Sequence, residues 1–329
     1  MVKLALLTSG GDAPGMNCAI RAVVRAALAK DIEVMGIRHG FSGLLAGDFM
    51  NMKSRSVANI MHLGGTILHT SRCPEFKTRE GREKAIAFLN KAEVNFLVTI
   101  GGDGTLQGSA TLSGETHIKI AHVPSTIDND VYGTDFTIGF DTAVNTALEA
   151  IDRIRDTAFS LERLFFVEVM GRNSGFIALE AGIAGGATEV LLPEIAENMS
   201  ELSHCILNSF RRGKSACVVV VAEGDRPGGA FEVAKEVKAL TGLDSRVCVL
   251  GHTQRGGSAT ARDRTLATKL GVAAVEALLQ GKDGVMVGEV GGQIVRTPLT
   301  EAREKKKPLD NFLVELLKVV SGYTTDAFQ

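Results

Sequence analysis

Short apolar runs rich in β-branched residues recur along the chain and alternate with polar, turn-forming segments. The runs cover residues 3–9, 33–38, 95–100, 118–123, 163–169, 189–193 and 216–224. Each run is continuously apolar instead of alternating, which is typical of a strand that is covered on both faces of its sheet. The pattern therefore predicts buried sheets.

Segments with helical spacing of apolar residues lie between these runs, for example 16–29 and 141–156. In the second segment the apolar positions are Val144, Leu148, Ile151 and Ile154. Alternation of strands and helices predicts an α/β fold with mainly parallel sheets flanked by helices. In such sheets ligands bind beyond the carboxyl ends of the strands, so the loops after the apolar runs are the places to search for a site.

Length and composition add two expectations. With 329 residues and 45% hydrophobic content, the chain is long enough for two domains. Acidic residues number 38 and basic residues 36, for a formal net charge of -2. No bulk field attracts nucleic acid or an anionic membrane, and we expect neither as a partner. An anionic ligand must be bound by local groups.

The five cysteines form no CxxC pair, and most lie in apolar surroundings, which favours free thiols in a reducing compartment. The amino-terminal apolar stretch is too short for a signal peptide or a membrane span. We therefore expect a cytoplasmic protein.

Two glycine-rich loops follow predicted strands and precede predicted helices. They are Gly10–Asp12, in "SGGDAPGMN", and Gly101–Thr105, in "GGDGT". Glycines let the backbone approach a phosphate, and the following helix start offers unpaired N–H groups; a tight strand-to-helix turn is the alternative. Asp103 would repel a phosphate unless a magnesium ion lay between them, because Mg²⁺ takes carboxylate and phosphate oxygens together. The Rossmann fingerprint GxGxxG is not present, because Gln107 stands where its third glycine belongs.

An acidic loop, "STIDNDVYGTD", follows the run 118–123. Asp128 and Asp130 alternate, so in an extended segment both would point the same way, although a turn or cap is the common role of such a pair. Asp135 is expected to be a structural turn carboxylate. The position of the pair after a buried strand, beside the glycine loops, favours catalysis: a carboxylate can accept the proton of a hydroxyl group during phosphoryl transfer.

Basic residues stand near the ends of later strands: Arg172, Arg246, His252 and Arg255. Each alone is more often a surface residue, but together they could bind a phosphate group on the acceptor, because arginine matches phosphate geometry. The residues thus predict a magnesium-dependent phosphotransferase that acts on a phosphorylated small molecule.

At these residues the sequence resembles the bacterial ATP-dependent 6-phosphofructokinases. The shared motifs include "LTSGGDAPGMN", "SRCPEFKT", "IGGDGT", "PSTIDNDVYGTDFTIGFDTA", "VEVMGR", "AGIAGG" and "VLGHTQRGGS", and the resemblance weakens after about residue 285. It implies transfer of the γ-phosphate of MgATP to the 1-hydroxyl of fructose 6-phosphate, in a cleft between two domains. Asp128 would be the general base, Asp103 and Asp130 would act around Mg²⁺, and Thr126 and Arg172 would stabilise the transferring group.

The resemblance also implies binding residues. Those matched to the ATP site are Gly11, Arg72, Cys73, Gly102, Asp103, Gly104, Thr105 and Gly108. Those matched to the fructose 6-phosphate site are Thr126, Asp128, Arg163, Met170, Gly171, Arg172, Glu223, Arg246, His252 and Arg255. In the family, Arg163 and Arg246 reach the site from a neighbouring subunit, so a homo-oligomer, commonly a homotetramer, is implied.

The implied nucleotide domain comprises 1–138 and 252–304, and the implied sugar-phosphate domain comprises 139–251 and 305–329. An effector site for ADP or phosphoenolpyruvate would use Arg21, Arg25, Arg55, Arg155, Arg212 and Lys214. The family's effector-site glutamate is replaced by Thr188, with Glu189 one place later, which leaves the direction of regulation open.

Three alternatives remain. Pyrophosphate users of the family carry Asp in place of Gly104 and Lys in place of Ser125, whereas the bacterial ATP users have Gly at both positions; Gly104 favours ATP and Ser125 fits neither pattern. Kinases of the NAD kinase and diacylglycerol kinase type share "GGDGT" but not the other motifs in this order. A catalytically silent sensor of sugar phosphate or nucleotide is opposed by the intact Asp128, Asp103 and Arg172.

Overall fold

The internal contacts of the chain divide it into two compact units. Unit 1 comprises Met1–Thr142 and Arg255–Lys307, and unit 2 comprises Ala143–Gln254 and Pro308–Gln329. The structure is a computed structural model, which describes residues 2–196 and 198–321.

Unit 1 is built on a seven-stranded sheet with the order β11-β10-β5-β4-β1-β2-β3. Its strands are β1 (Lys3–Thr8), β2 (Glu33–Ile37), β3 (Phe49–Met52), β4 (Phe96–Gly101), β5 (Lys119–Pro124), β10 (Val285–Val290) and β11 (Gln293–Pro298). The five central strands are parallel, and β3 and β11 pair antiparallel at the two edges. The parallel strands β1, β4 and β5 are almost wholly buried, as continuous apolar runs require.

Helices pack against this sheet. They are α1 (Met16–Leu28), α2 (Gly40–Ala46), α3 (Arg79–Lys91), α4 (Asp103–Ser113), α9 (Ala261–Leu279) and α10 (Leu299–Glu304). The apolar positions of α1 recur at helical spacing and are buried, among them Ile20, Val23 and Val24. Polar Arg21 and Arg25 occupy the other side of the same helix, so burial selects one face of α1.

Unit 2 has a four-stranded, fully parallel sheet with the order β7-β8-β6-β9. Its strands are β6 (Leu164–Val169), β7 (Glu189–Leu191), β8 (Cys217–Ala222) and β9 (Ser245–Val249). Its helices are α6 (Phe176–Ala184), α7 (Met199–Arg211), α8 (Gly229–Thr241) and α11 (Asn311–Ser321), and α5 (Phe140–Leu161) runs into it from unit 1. The core lies between the sheet and helices α7 and α8, with Phe166, Val219 and Val233 fully buried.

The α/β fold predicted from the sequence is confirmed. Each of the seven apolar runs forms a strand, and the two helical segments form α1 and α5. The pattern missed four strands, β3, β9, β10 and β11. The edge strands β3, β9 and β11 are half exposed and lack a continuous apolar run, and the apolar run of β10 is interrupted by Gly288 and Glu289. Among the described residues, no helix combines the length and the apolar composition needed to cross a bilayer.

A buried carboxylate holds the start of α5. Asp263, in the first turn of α9, is 1% exposed and accepts hydrogen bonds from Gly139 N (2.9 Å), Thr142 N (2.8 Å) and Thr142 Oγ1 (2.5 Å). Burial raises the pKa of Asp263, and these hydrogen bonds partly oppose that effect. The carboxylate thus caps the first turn of α5, whose N–H groups have no partner within the helix.

A buried histidine makes the stability of unit 1 depend on pH. His122 on β5 is fully buried, with Nδ1 2.9 Å from Thr99 Oγ1, and burial lowers its pKa from 6.5 to about 3. Below pH 6.5, His122 is therefore protonated in the unfolded chain but stays neutral in the folded chain until the pH approaches 3. The contribution of His122 to stability is complete above pH 6.5 and is lost as pH falls toward 3.

We predict that the free energy of unfolding of the wild type falls by up to about 1 kcal/mol per pH unit below pH 6.5 on account of this group. Urea denaturation between pH 4 and pH 8 measures it. The slope should decrease in His122→Gln and stay unchanged in His117→Gln, which alters an exposed histidine of the same unit. An equal slope in wild type and His122→Gln would contradict the prediction.

Candidate active site

Three loops of unit 1 meet because their strands are neighbours. In the sheet, β4 lies between β1 and β5, with Thr8 paired to Ile100 and Gly101 paired to Pro124. The strands are parallel, so the chain leaves all three at the same edge of the sheet. The two glycine loops and the acidic loop predicted from the sequence are therefore adjacent.

The two glycine loops are bonded directly to each other. Thr105 Oγ1, in the first turn of α4, donates to the Ser9 carbonyl oxygen at 2.9 Å. Gly101 lies between them: a Cβ there would stand 2.5 Å from Ser9 O and would also overlap the Thr105 hydroxyl. Only glycine permits this approach, so the first glycine of "GGDGT" serves loop packing.

The start of α4 offers a binding surface for phosphate. Gly102 is the N-cap residue, and the exposed Asp103 and Gly104 form the first turn. A Cβ on Gly104 would meet no atom within 4 Å. Asp103 Oδ2 accepts a hydrogen bond from Gln107 Nε2 at 2.6 Å, which orients the carboxylate. The unpaired N–H groups and the dipole of the helix favour an anion here.

The acidic loop is a turn, the alternative to an extended segment that the sequence left open. Ile127 and Asp128 form a turn, and Asn129 has φ 53°, in the left-handed region. The alternation of Asp128 and Asp130 therefore does not place them on one side of a strand. Asp128 is 4% exposed and Asp130 is partly exposed, so the two carboxylates occupy different environments.

Thr126 connects the acidic loop to the glycine loops. Its Oγ1 accepts a hydrogen bond from Asp128 N at 3.2 Å, and its Cβ lies 3.1 Å from where a Cβ of Gly102 would stand. The structure therefore brings Thr126, Asp128 and Gly102 together within unit 1, as the sequence predicted.

Asn129 braces this turn, a role that the sequence analysis missed. Asn129 Oδ1 accepts from Thr137 N at 2.9 Å, Asn129 Nδ2 donates to Asp135 O at 3.3 Å, and Thr137 Oγ1 donates to Thr126 O at 2.6 Å. Asp135 Oδ2 accepts from Gly291 N at 2.7 Å, which confirms its structural role. The signal in the sequence was an asparagine between two aspartates, because asparagine adopts positive φ more readily than most residues.

The backbone N–H and the hydroxyl group of Ser125 are both engaged in hydrogen bonds within unit 1. It is fully buried, its N–H donates to Gly101 O at 2.8 Å, and its Oγ donates to Ile138 O at 3.3 Å. The hydroxyl thus completes the backbone hydrogen bonding at the end of β5.

Arg255 contacts the first glycine loop, and the remaining predicted nucleotide residues of unit 1 lie elsewhere in the unit. Arg255 Nη1 donates to Asp12 O at 3.0 Å, and its guanidinium group lies against Gly11, where a Cβ would stand 2.6 Å from Nη1. Arg72 is exposed, Cys73 packs partly against the core, and Gly108 lies against the rings of Phe41 and Phe76. Arg255 was predicted to contact the sugar phosphate. In the described structure its side chain contacts the first glycine loop.

A second group of predicted residues lies in unit 2, after the carboxyl ends of three neighbouring strands. Met170, Gly171 and Arg172 follow β6, Glu223 follows the neighbouring β8, and His252 follows β9 on the other side. Glu223 Oε1 accepts from Arg172 N at 2.8 Å, and Arg172 has φ 54°. This hydrogen bond holds the strained backbone from which the arginine projects.

The two arginines matched to a neighbouring subunit are both exposed. Arg163 directly precedes β6, and Arg246 lies inside β9, opposite Phe165 of β6. Arg246 is thus near the amino end of β9, whereas Arg172 follows the carboxyl end of β6. Both side chains are open to solvent, Arg163 at the amino end of the inner strand β6 and Arg246 on the edge strand β9.

The six predicted effector cations divide between the units. Arg21, Arg25 and Arg55 belong to unit 1, where Arg25 Nη1 donates to Ser54 Oγ. Arg155, Arg212 and Lys214 belong to unit 2, where Arg155 Nη2 donates to Gly186 O at 2.9 Å.

Glu189, the acidic residue next to the predicted effector-site position Thr188, has a buried side chain. Glu189 is 7% exposed and its Oε1 accepts from Cys205 Sγ at 2.7 Å; burial, aided by this carboxylate, raises the thiol pKa to about 12. Thr188 is also buried.

A magnesium ion would need ligands from outside the protein. No group of three or more His, Cys, Asp or Glu side chains in the described ranges could hold a metal ion. Asp103 and Asp130 supply hard oxygen donors from neighbouring loops, and Mg²⁺ is commonly bound by one or two carboxylates together with substrate phosphates. The donor set fits magnesium that arrives with a nucleotide.

Parallel sheets with glycine loops and an acidic turn at adjacent strand ends define an α/β protein equipped for phosphoryl compounds. Comparison with known proteins narrows this class. The model of the family described as phosphofructokinase matches residues 3–278. The chain belongs to the phosphofructokinase family.

Relatives and solved structures support this assignment. The ATP-dependent 6-phosphofructokinase 1 of Thermus thermophilus is 55% identical over 321 residues, which cover 98% of this chain and 100% of the relative. A phosphofructokinase structure from Saccharomyces cerevisiae has a TM-score of 0.86 at 35% identity, over 97% of this chain and 47% of the yeast chain. A pyrophosphate-dependent phosphofructokinase from Marinobacter aquaeolei has a TM-score of 0.84 at 25% identity, over 94% and 86% of the two chains.

We predict that Asn129→Gly lowers the free energy of unfolding by about 1–3 kcal/mol, because it leaves the buried Thr137 N–H without its acceptor while keeping the positive φ strain-free. Chemical denaturation measures the change. Asn59→Gly is the matched control, since Asn59 also has positive φ (56°) but is exposed. Equal effects of the two substitutions would contradict a bracing role for Asn129.

Proposed function

We propose that the protein is an ATP-dependent 6-phosphofructokinase, which transfers the γ-phosphate of MgATP to the 1-hydroxyl of fructose 6-phosphate. The observation that carries this proposal is the arrangement of three loops at the ends of β1, β4 and β5, with the buried Asp128 beside Thr126. The names of relatives at 50–55% identity across 98% of the chain support it.

Unit 1 is the proposed nucleotide unit. The first turn of α4, at Gly102, Asp103 and Gly104, would receive the phosphates, since its N–H groups and open space suit an anion. Gly11 and Thr105 would complete this cradle, while Arg72, Cys73 and Gly108 would line the rest of the nucleotide site. Bound Mg²⁺ would neutralise phosphate charge, and Asp103 and Asp130 would hold it.

Asp128 is the proposed general base. Its backbone is fixed by Thr126 Oγ1 and its side chain is buried, so the carboxylate is oriented before substrate arrives. It would accept the proton of the sugar hydroxyl as that oxygen attacks phosphorus. Thr126 and Arg172 would stabilise the charge of the transferring group.

Unit 2 is the proposed sugar-phosphate unit. Met170, Gly171, Glu223 and His252 would contact the sugar, and Arg255 of unit 1 would contribute a cation. Arg163 and Arg246 would serve the site of a neighbouring subunit, and their exposure to solvent supports that role. The proposal therefore includes a homo-oligomer, a homotetramer by analogy with the family.

Regulation and location complete the proposal. The six predicted effector cations, three in each unit, would contribute to an effector site for ADP or phosphoenolpyruvate. Because Glu189 is bonded to Cys205 and Thr188 is neutral, we expect no carboxylate from this segment to face an effector. The proposed location is the cytoplasm.

Pyrophosphate is the alternative donor. The relatives named as ATP-dependent, at higher identity than the pyrophosphate-dependent structure, favour ATP. Formation of fructose 1,6-bisphosphate from fructose 6-phosphate and Mg²⁺, with ATP and pyrophosphate at equal concentration, tests the choice. Turnover with ATP alone would support the proposal, turnover mainly with pyrophosphate would reverse the donor, and none with either would favour a silent sensor.

We predict that Asp128→Asn lowers kcat by about 10²- to 10⁴-fold, the usual contribution of a general base. Fructose 6-phosphate should still bind, because the amide keeps the size of the carboxylate. Steady-state kinetics and calorimetric titration measure the two effects. Asp156→Asn, which alters an exposed carboxylate on α5, should behave as wild type. Near-normal turnover of Asp128→Asn would remove Asp128 from the mechanism.

We predict that Gly104→Asp raises the KM for ATP by at least about tenfold, because a carboxylate close to the phosphates repels them at short range. The fold should persist, since the side chain enters open space. Gly104→Asn, of the same size without the charge, is the control for volume. If both variants lost ATP affinity equally, bulk and not charge would decide the donor.

A further inference from the structure

His39 and His69 of unit 1 stack on each other, and neither residue belongs to the proposed active site or effector site. The ring centroids of His39 and His69 lie 5.1 Å apart, with an angle of 12° between the planes. Both residues are exposed, and both have positive φ, 59° and 57°. Residues other than glycine enter this region at a cost, so the surrounding contacts must favour this conformation.

Two hydrogen bonds to the His39 backbone join the two histidine segments. His39 N donates to Leu68 O at 2.8 Å, and Ser71 Oγ donates to His39 O at 2.8 Å. His39 is also the N-cap residue of α2. These hydrogen bonds join the start of α2 to residues 68–71, and the ring stack adds a second contact between the same two segments.

The same residues are fastened to the first glycine loop. Thr8 Oγ1 donates to His69 O at 2.9 Å, and Thr70 Oγ1 donates to Gly10 O at 2.7 Å. Beyond them, Arg72 O accepts from Ser42 Oγ at 3.4 Å. Residues 69–72 thus connect the stacked histidines with Arg72 and Cys73 of the proposed nucleotide site.

A carboxylate fixes the first ring. Asp48 Oδ2 lies 3.2 Å from His39 Nδ1, and Asp48 Oδ1 accepts from Arg38 Nε at 2.8 Å. The hydrogen bond from Arg38 lowers the pKa of Asp48, so this acceptor stays ionised. His39 is held from one side by Asp48 and offers its ring face to His69.

We propose that His39 and His69 are positioning residues for the nucleotide: their stack pre-organises residues 69–73, so that Arg72 and Cys73 are in place before MgATP binds. This inference rests on the proposed function. Residues 69 and 72 are exposed and 70, 71 and 73 are only partly buried, so little core packing holds them. A segment that is ordered in advance loses less entropy on binding, which strengthens affinity without a new contact.

The test uses His39→Asn, His69→Asn and the double variant. Asparagine tolerates positive φ but cannot stack. Each single variant should raise the KM for MgATP about twofold to tenfold, the range that the free energy of one aromatic pair corresponds to. The value of kcat and the KM for fructose 6-phosphate should change less than twofold. The double variant should match a single variant, because both substitutions remove the same stack.

His117→Asn is the control, since it changes an exposed histidine of unit 1 outside this segment. Unchanged KM for MgATP in the single variants would overturn the proposal, and so would fully additive effects in the double variant. A lowered unfolding midpoint with unchanged KM would assign the stack a structural role only. If the wild type makes no fructose 1,6-bisphosphate from ATP, the proposed function fails, and titration with MgATP then decides this inference: unchanged or absent binding across the set would overturn it.

Discussion

The candidate nucleotide site depends on one short contact, the hydrogen bond from Thr105 Oγ1 to Ser9 O at 2.9 Å. It joins the loop after β1 to the first turn of the helix after β4, over a glycine that has no room for a side chain. Parallel pairing of the strands brings the loops to one edge of the sheet. Pairing alone does not determine the position of one loop relative to the other. The Thr105 hydroxyl bonds the two glycine loops to each other. The acidic turn packs against the second of these loops through the contact of Thr126 with Gly102.

Much of this arrangement could be predicted from the sequence. Continuous apolar runs predicted the buried strands, and the loops that follow β1, β4 and β5 were identified because binding loops occur at strand ends. The order of the strands could not be predicted from periodicity, because a run of valine and isoleucine does not encode its neighbour. Family motifs, not physical patterns, indicated Arg72 and Cys73.

The backbone direction at two predicted site residues could not be determined from local sequence patterns. Asp128 and Asp130 alternate in sequence, but Asn129 turns the backbone to positive φ, so a two-residue period no longer describes their directions. The sequence did not show at which end of a strand Arg246 lies, because β9 is an exposed edge strand without a clear apolar boundary. Local propensity fails where a tertiary contact, such as that between Asn129 and Thr137, determines the backbone. The same limit applies to Glu223, whose hydrogen bond to Arg172 N depends on the pairing of β6 with β8.

The burial of Ser125 has a consequence for how the phosphate donor could change during evolution. A lysine at this position would have to leave the space now occupied by a small hydroxyl and free the Ile138 carbonyl oxygen of its donor. Its long, charged side chain could not remain in that dry space. A switch of donor at position 125 would thus require the end of β5 to repack first. The order in which substitutions could accumulate is therefore restricted: position 104 faces open space and can take a side chain without repacking, whereas a lysine at position 125 can follow only after its surroundings have changed.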